Sequence, residues 1–329
     1  MNRTYVLQRA GVAALSFYAV LTVVFVAVVY VPDPAPAILN YYNVNADQIP
    51  ALIAAKNGDQ PLFDRYVTYL GNLVTLQWGR SVSRLGNVGP PVTTLLGRHL
   101  PYTLAYVVPA VVVGFASSVL LGAYAALERG GVVDRAVQSA GYLAFGVPSF
   151  VLAQLSLVVL SAELGLVEFT LGTPAGKYYL PGAPVDLWTV DAMVQFAVVA
   201  FILAIALVGT QVRYARAQCL EYVTEDFVTL ARAKGASDWR VMAHVGRNAA
   251  LPLLTLFLDD LVTILVVHVF VLEFVFALPG LGQLGILAVK ARDVSTTMGI
   301  VVLVAGVGVV ANFLQDVGLG AVDPRVGED

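Results

Sequence analysis

Five stretches of this chain run for 21 residues or more without a charged side chain: Ala10 to Val31, Leu100 to Leu127, Ala136 to Ala162, Ala192 to Val212 and Val294 to Gln315. A peptide backbone placed in hydrocarbon must satisfy its own N–H and C=O groups, so an uncharged run of this length is read as a helix. At 1.5 Å rise per residue, 21 residues cross the roughly 30 Å core of a bilayer. A sixth apolar stretch, Asn248 to Leu272, is interrupted by Asp259 and Asp260. The fold class that follows is an all-α integral membrane protein of six transmembrane helices, with both termini on one side. Composition agrees: 12% of residues are charged and mean hydropathy is +0.79, against roughly 25% charged in a soluble domain.

The first run, preceded by Arg3 and Arg9, could be mistaken for a signal peptide with Ala35-Pro36-Ala37 as its cleavage site. Its 22 apolar residues exceed the usual apolar region of such a leader, which favours an uncleaved anchor. A net charge of −3 gives no reason to expect a nucleic-acid partner, and the one cysteine, Cys219, excludes an internal disulfide.

Lys and Arg set the orientation. With the N-terminus in the cytoplasm, the inner segments hold Arg3, Arg9, Arg129, Arg135, Arg213, Arg216, Arg232, Lys234, Arg240, Arg247 and Arg325, whereas the short outer loops hold only Lys177, Lys290 and Arg292. The long loop 32–99 counts little in this rule, so N-in and C-in is the expected topology. In that loop Phe63, Tyr66, Val67, Leu70, Leu73 and Val74 recur with the period of an amphipathic helix, expected to lie against the bundle or the membrane. Gly89, Pro90 and Pro91 preclude a continuous helix before Val92. Gly114, Ser118 and Gly122 form a small-residue stripe suited to close helix packing, and Pro109 and Pro148 permit kinks.

Chemistry-bearing patterns are few. The string Gly172-Thr-Pro-Ala-Gly-Lys177 is one residue too short for a P-loop and lacks the following Ser or Thr. Neither H-E-x-x-H nor a nucleophile elbow occurs, so no catalytic and no metal-ligating residues are assigned. The ionisable residues expected within the membrane, Asp259, Asp260, His268 and Glu273, are candidates for a substrate pathway because charge there is costly. Asp259, Asp260 and His268 could also serve a stand-alone proton-coupled carrier; the structural alternative is that Asp259 and Asp260 sit near the bundle interior or a water-filled cavity and that His268 packs through a hydrogen bond.

One polar island breaks this oily sequence. Between Arg213 and Pro252 lie six of the 19 basic residues. Glu225 to Lys234 reads as a short helix with acids at its start, Gly235 as its left-handed terminator, and Ser237 as the cap of a second helix through about Gly246, with Val241, Met242 and Val245 inward.

Here a family resemblance becomes specific. Ala231-Arg232-Ala233-Lys234-Gly235 followed by Arg247-Asn248-Ala249-Ala250-Leu251-Pro252 resembles the cytoplasmic EAA loop of binding-protein-dependent ABC importer permeases, and in particular the first permease subunit of dipeptide, oligopeptide and nickel importers. Glu273-Phe-Val-Phe-Ala-Leu-Pro-Gly-Leu-Gly282, Arg292-Asp293, Asp323-Pro324-Arg325, Val31-Pro32-Asp33-Pro34-Ala35, Trp78-Gly79-Arg80-Ser81 with Pro91-Val92, and Pro148-Ser149-Phe150 extend the likeness in order along nearly the whole chain. Two departures stand out: Thr229-Leu230 occupies the place of the motif's Glu-Ala, and Asp259, Asp260 and His268 sit in a fifth span that is usually lined by small residues.

The resemblance implies a single permease domain, residues 1–329, with an extracytoplasmic loop 32–99 and a cytoplasmic coupling loop 213–250 between spans four and five. It implies a non-enzymatic subunit in a prokaryotic plasma membrane that works by alternating access. Its implied partners are a second homologous permease, two ATPases carrying ATP and Mg, an extracytoplasmic substrate-binding protein and the lipid bilayer. The residues implied to couple to the ATPase are Ala231, Arg232, Ala233, Lys234, Gly235, Asp238 and Arg247. Di- or oligopeptides are the implied cargo, with nickel or oligosaccharides as alternatives.

Overall fold

The computed structural model describes residues 3–30, 61–82, 88–167, 186–291 and 293–322. The segments Val31-Pro32-Asp33-Pro34-Ala35, Gly172 to Lys177 and Asp323-Pro324-Arg325, together with Arg292, lie outside the described residues. Among the described residues the elements are helices apart from one small hairpin. In order it forms α1 (Arg3–Tyr30), α2 (Leu62–Val74), β1 (Arg80–Val82), β2 (Val88–Pro91), α3 (Val92–Leu127), α4 (Val132–Gly146) and α5 (Ser149–Ser156), the last continuing as a π-helical turn (Leu157–Glu163). There follow α6 (Val190–Val223), α7 (Asp226–Ala233), α8 (Asp238–Thr263), a second π-helical turn (Ile264–Val269), α9 (Phe270–Val275), α10 (Leu281–Ala291) and α11 (Val294–Val322).

Among the described residues four helices, α1, α3, α6 and α11, are long and apolar enough to cross a membrane unbroken; the span count reaches six if two bent pairs each count as one crossing. The first pair bends by 86° between α4 and α5, where Val147 takes up an extended conformation before Pro148. This is far more than a kink, because the residue before a proline is pushed out of helical space. The second bends by 50° within α8, between Ala250 and Pro252. Pro109 and Pro101, by contrast, are carried inside α3 without interrupting it.

The small-residue stripe of α3 is the close-packing seam with α6. A Cβ added at Gly122 would lie 2.5 Å from Ala215 Cβ and 2.7 Å from the Arg216 backbone nitrogen, and one at Gly114 would lie 3.0 Å from Leu207 Cβ. Ser118 turns its hydroxyl back to the Gly114 carbonyl at 2.7 Å. Where lipid is as apolar as leucine, dispersion across so close an approach, rather than water exclusion, holds two helices together. Gly209 of α6 does the same for α4, its Cβ position falling 2.6 Å from Phe145 N.

These contacts fix which ends meet. α3 and α6 run parallel, while α1 and α11 are antiparallel: the Tyr5 hydroxyl donates to the Asp316 carbonyl at 3.1 Å and Arg9 pairs with the Asp316 carboxylate at 3.4 Å. At the opposite end, Gly299 of α11 packs beside Val92 at the start of α3. The start of α1, the end of α11 and the ends of α3 and α6 therefore share one end of the bundle, the same end that carries the polar island.

The other end carries the hairpin. β1 and β2 pair antiparallel, Arg80 opposite Pro91, so Gly89, Pro90 and Pro91 do interrupt the helix, as a strand. The hairpin is tied to α11 by Asp293, whose buried carboxylate accepts from the Ser81 and Thr296 hydroxyls, each at 2.7 Å, and from the Thr296 N–H at 3.1 Å. Asp293 thus caps α11 and anchors Trp78-Gly79-Arg80-Ser81 at once.

Helix α2 forms as its periodicity predicts, and part of its apolar face packs on the bundle. Tyr66, Leu70 and Leu73 of that face, joined by Tyr69, lie against α1 and α11, whereas Phe63, Val67 and Val74 are exposed.

Candidate functional site

The polar island is less loop than helix. α6 continues without a break past Val212 to Val223, so its 34 residues reach about 51 Å, well beyond a 30 Å hydrocarbon core. α7 then begins after Glu225, with Asp226 in its first turn and Arg232 in its last, both favourable for the helix dipole. It ends in a Schellman arrangement: Gly235 has φ +77°, the Ala236 N–H donates to Ala231 O at 3.0 Å and the Gly235 N–H to Arg232 O at 2.9 Å. α8 starts within three residues of that turn. It does not stop near Gly246 as the sequence suggests but runs on past Pro252, because proline in this position bends the helix without ending it.

One side of the α7–α8 elbow is locked to the bundle. Val228, Val241, Met242, Val245 and Ala249 are buried with Ala123 and Ala126 of α3 and Ala215 and Cys219 of α6. The elbow thus packs against the same two helices, α3 and α6, that meet at the Gly114–Gly122 seam. The ends of α4 and α6 are joined beside it by Asp134, which is buried and accepts from Arg216 Nε at 2.5 Å, Arg216 Nη2 at 2.8 Å, the Gly130 N–H at 2.8 Å and Gln138 Nε2 at 2.9 Å.

The other side faces outward. Arg232, Ala233, Lys234, Gly235, Asp238 and Arg247 are exposed, and Ala231 is half-buried. Two residues that motif matching passes over share this surface: Leu230 is 55% exposed and Trp239 is 66% exposed. The available signal was a tryptophan standing at the head of a helix in an otherwise polar stretch. A basic tip carrying two bare apolar side chains is the composition of a protein-docking surface.

Of the four ionisable pathway candidates, the two with described side chains, His268 and Glu273, have separate partners. Asp259 and Asp260 lie near the end of α8, and their side chains are outside the described residues. His268 sits in the π-helical turn, its Nδ1 3.0 Å from the Ser149 hydroxyl at the start of α5. Glu273 is fully buried. Its Oε1 accepts from the Thr103 hydroxyl at 2.6 Å and the Tyr106 hydroxyl at 3.0 Å, both from α3, and its Oε2 from the backbone N–H groups of Gly282 at 2.7 Å and Gln283 at 3.1 Å.

Thr103 completes the arrangement by accepting from the Leu281 N–H at 2.9 Å. The first three N–H groups of α10, which no intrahelical carbonyl can reach, are thus all satisfied by side chains from elsewhere in the chain. Gly280 and Gly282 make room for this clasp: a Cβ at Gly280 would fall on the Glu273 carboxylate, and one at Gly282 would sit 2.7 Å from Phe270 Cα. The string Glu273 to Gly282 is accordingly a helix cap assembled through tertiary contacts. Among the described residues no group of three His, Cys, Asp or Glu side chains gathers as a metal site.

Comparison with known proteins adds to this geometry. Residues 118–328 match the family described as binding-protein-dependent transport system inner membrane component. Over 98% of its length the chain is 28% identical to the dipeptide transport system permease protein DppB of Bacillus subtilis, covering 97% of that protein. It is 30% identical to a putative peptide permease protein of Brucella suis and 27% identical to the metal-staphylopine import system permease protein CntB of Staphylococcus aureus, with 98% of both chains covered in each case.

Proposed function

Because this chain belongs to the family of binding-protein-dependent transport system inner membrane components, we propose that it is the permease subunit of an ATP-driven importer of di- or oligopeptides. Relatives named as peptide permeases align with it end to end, which supports peptides as cargo. The observation that carries the mechanism is the α7–Gly235–α8 elbow, bare on one side and packed into α3 and α6 on the other. On this reading the elbow lies in the cytoplasm and seats in an ATPase subunit, with ATP and Mg held by that partner. A second permease completes the path and an extracytoplasmic binding protein delivers the cargo.

In this mechanism the chain itself performs no bond chemistry. ATP-driven closure of two ATPases moves the elbows, and the bundle passes between inward-open and outward-open states, with the bends at Val147 and Ala250–Pro252 as its natural hinges. Metal chelates are the competing cargo, since one aligned relative is named for metal-staphylopine import. The test is uptake of labelled dipeptides, nickel chelates and oligosaccharides into proteoliposomes holding the permease pair, the ATPases and the binding protein. Dipeptide uptake that requires internal ATP and survives a protonophore supports the proposal. Uptake indifferent to ATP and abolished by a protonophore would instead establish a proton-coupled carrier, for which Asp259, Asp260 and His268 are the candidate relay.

A further inference from the structure

Helix α2 has more apolar surface than the bundle uses. At about 100° per residue, Tyr69, Leu73, Tyr66, Leu70, Phe63, Val74 and Val67 follow one another around an arc of roughly 160°. The polar residues Asp64, Thr68, Asn72 and Arg65 fill the opposite side. Only the first part of the apolar arc is covered, by α1 and α11. The remainder is bare: Phe63 is 74% exposed, Val67 52% and Val74 86%.

The contacts of the covered part tell how deep α2 sits. The Tyr66 hydroxyl is 2.6 Å from Thr22 Oγ1, and Thr22 is eight residues before Tyr30 at the end of α1, about 12 Å along the helix axis. On the neighbouring helix Val302 of the same cluster lies eight residues after Val294, again about 12 Å from the helix start. Both partners belong to apolar spans, and half of a hydrocarbon core is about 15 Å thick, so the Tyr66 side chain hangs from α2 into the level of acyl chains. α1 also exposes apolar side chains, Val23 and Val26, within four to seven residues of its outer end, as a lipid-facing span does.

We propose that α2 is seated in the outer-leaflet interface, with Phe63, Val67 and Val74 buried among lipid acyl chains and Asp64, Thr68 and Asn72 turned to the headgroups. The helix then braces the α1–α11 pair against the bilayer, and it holds the hairpin and Asp293 at a fixed height, because Trp78 Nε1 donates to Leu73 O at 3.1 Å immediately before β1. An amphipathic helix of this composition partitions to the boundary between headgroups and chains.

The inference rests on the reading of α1 and α11 as membrane spans, and one experiment separates the two. In a Cys219→Ala background, the full chain assembled with its partner subunits in nanodiscs is labelled with a nitroxide at Phe63→Cys, Val67→Cys or Val74→Cys. Leu15→Cys, 67% exposed in the middle of α1, serves as the lipid reference and Thr68→Cys as the aqueous one. Accessibility to molecular oxygen several-fold above that to nickel ethylenediaminediacetate at the three test sites, as at Leu15, with the reverse at Thr68, is the expected result. A nickel-dominated signal at the three sites overturns the proposal, and so does low accessibility to both reagents, which would mean a protein cover. Failure at Leu15 as well would bring down the span assignment itself. All three test side chains project from the packed surface, so a variant that does not assemble is replaced by either of the others.

Discussion

Removing the Glu273 carboxylate should be among the most damaging single changes in the molecule, and the structure says by how much. Glu273→Ala strands the Gly282 and Gln283 N–H groups, which are fixed in the backbone and cannot turn elsewhere. Each stranded buried donor costs about 1–3 kcal/mol, so the pair alone amounts to roughly 4 kcal/mol. The Thr103 and Tyr106 hydroxyls lose an acceptor too, but they rotate and their loss is smaller. Glu273→Gln is the informative control. Its amide oxygen still accepts from both backbone N–H groups, while its NH2 donates to the two hydroxyls, which then act as acceptors. What remains is the charge-assisted part of the bonding, about 1–2 kcal/mol. The lone thiol provides the assay: Cys219 is fully buried, so a thiol-reactive fluorophore reports unfolding of the detergent-solubilised chain on heating. At roughly 2 °C per kcal/mol, Glu273→Ala is expected to melt about 8 °C below wild type and Glu273→Gln within about 4 °C. Equal melting of Glu273→Ala and wild type would refute the clasp. Equal damage by Gln and Ala would show that charge, rather than satisfaction of the α10 N–H groups, is what the site requires.

Three further outcomes follow from particular contacts. Gly122→Val, forced against the Ala215 and Arg216 backbone, should destabilise the α3–α6 seam by about 1–3 kcal/mol or prevent assembly, whereas Gly97→Ala on the same helix, with nothing within 4 Å, should melt like wild type. Gly235→Val meets no neighbour but must hold a β-branched residue at φ +77°, a strain of about 1–2 kcal/mol confined to the elbow. ATP-coupled uptake should therefore fall while the melting temperature drops by no more than about 4 °C, and Gly235→Asn should restore uptake. Arg216→Met leaves a buried Asp134 carboxylate without its cation and should cost about 3–5 kcal/mol, while adding Asp134→Leu should recover much of that loss in a double-mutant melting cycle.

The clasp also shows where reading the chain residue by residue stops. Glu273 presents itself in the sequence as a charge at the edge of an apolar run, hence as a pathway candidate, because its partners Thr103 and Tyr106 stand 170 and 167 positions away. Nothing local distinguishes a carboxylate that meets cargo from one that caps a helix. The same holds for Asp293, whose hydrogen bond to Ser81 spans 212 positions. The elbow is the opposite case. Its helix dipole pattern, its terminating glycine and the inward set Val241, Met242 and Val245 depend on neighbours within a few residues, and they appear in the structure where the periodicity puts them.

By itself, then, the sequence determined that this chain is helical and membrane-bound, in what order its apolar segments come, and where a polar elbow interrupts them. Those properties are set by hydrophobic run length, by the backbone's need to bond internally in lipid, and by the left-handed conformation that glycine tolerates. Tertiary structure alone decided that the third apolar run folds back through 86°, that Gly114 and Gly122 face α6, that Tyr69 rather than Phe63 packs beneath α2, and that Glu273 closes the N-terminus of α10. Each depends on which surface a second helix happens to cover, and that is a property of the assembled bundle, which no single segment contains.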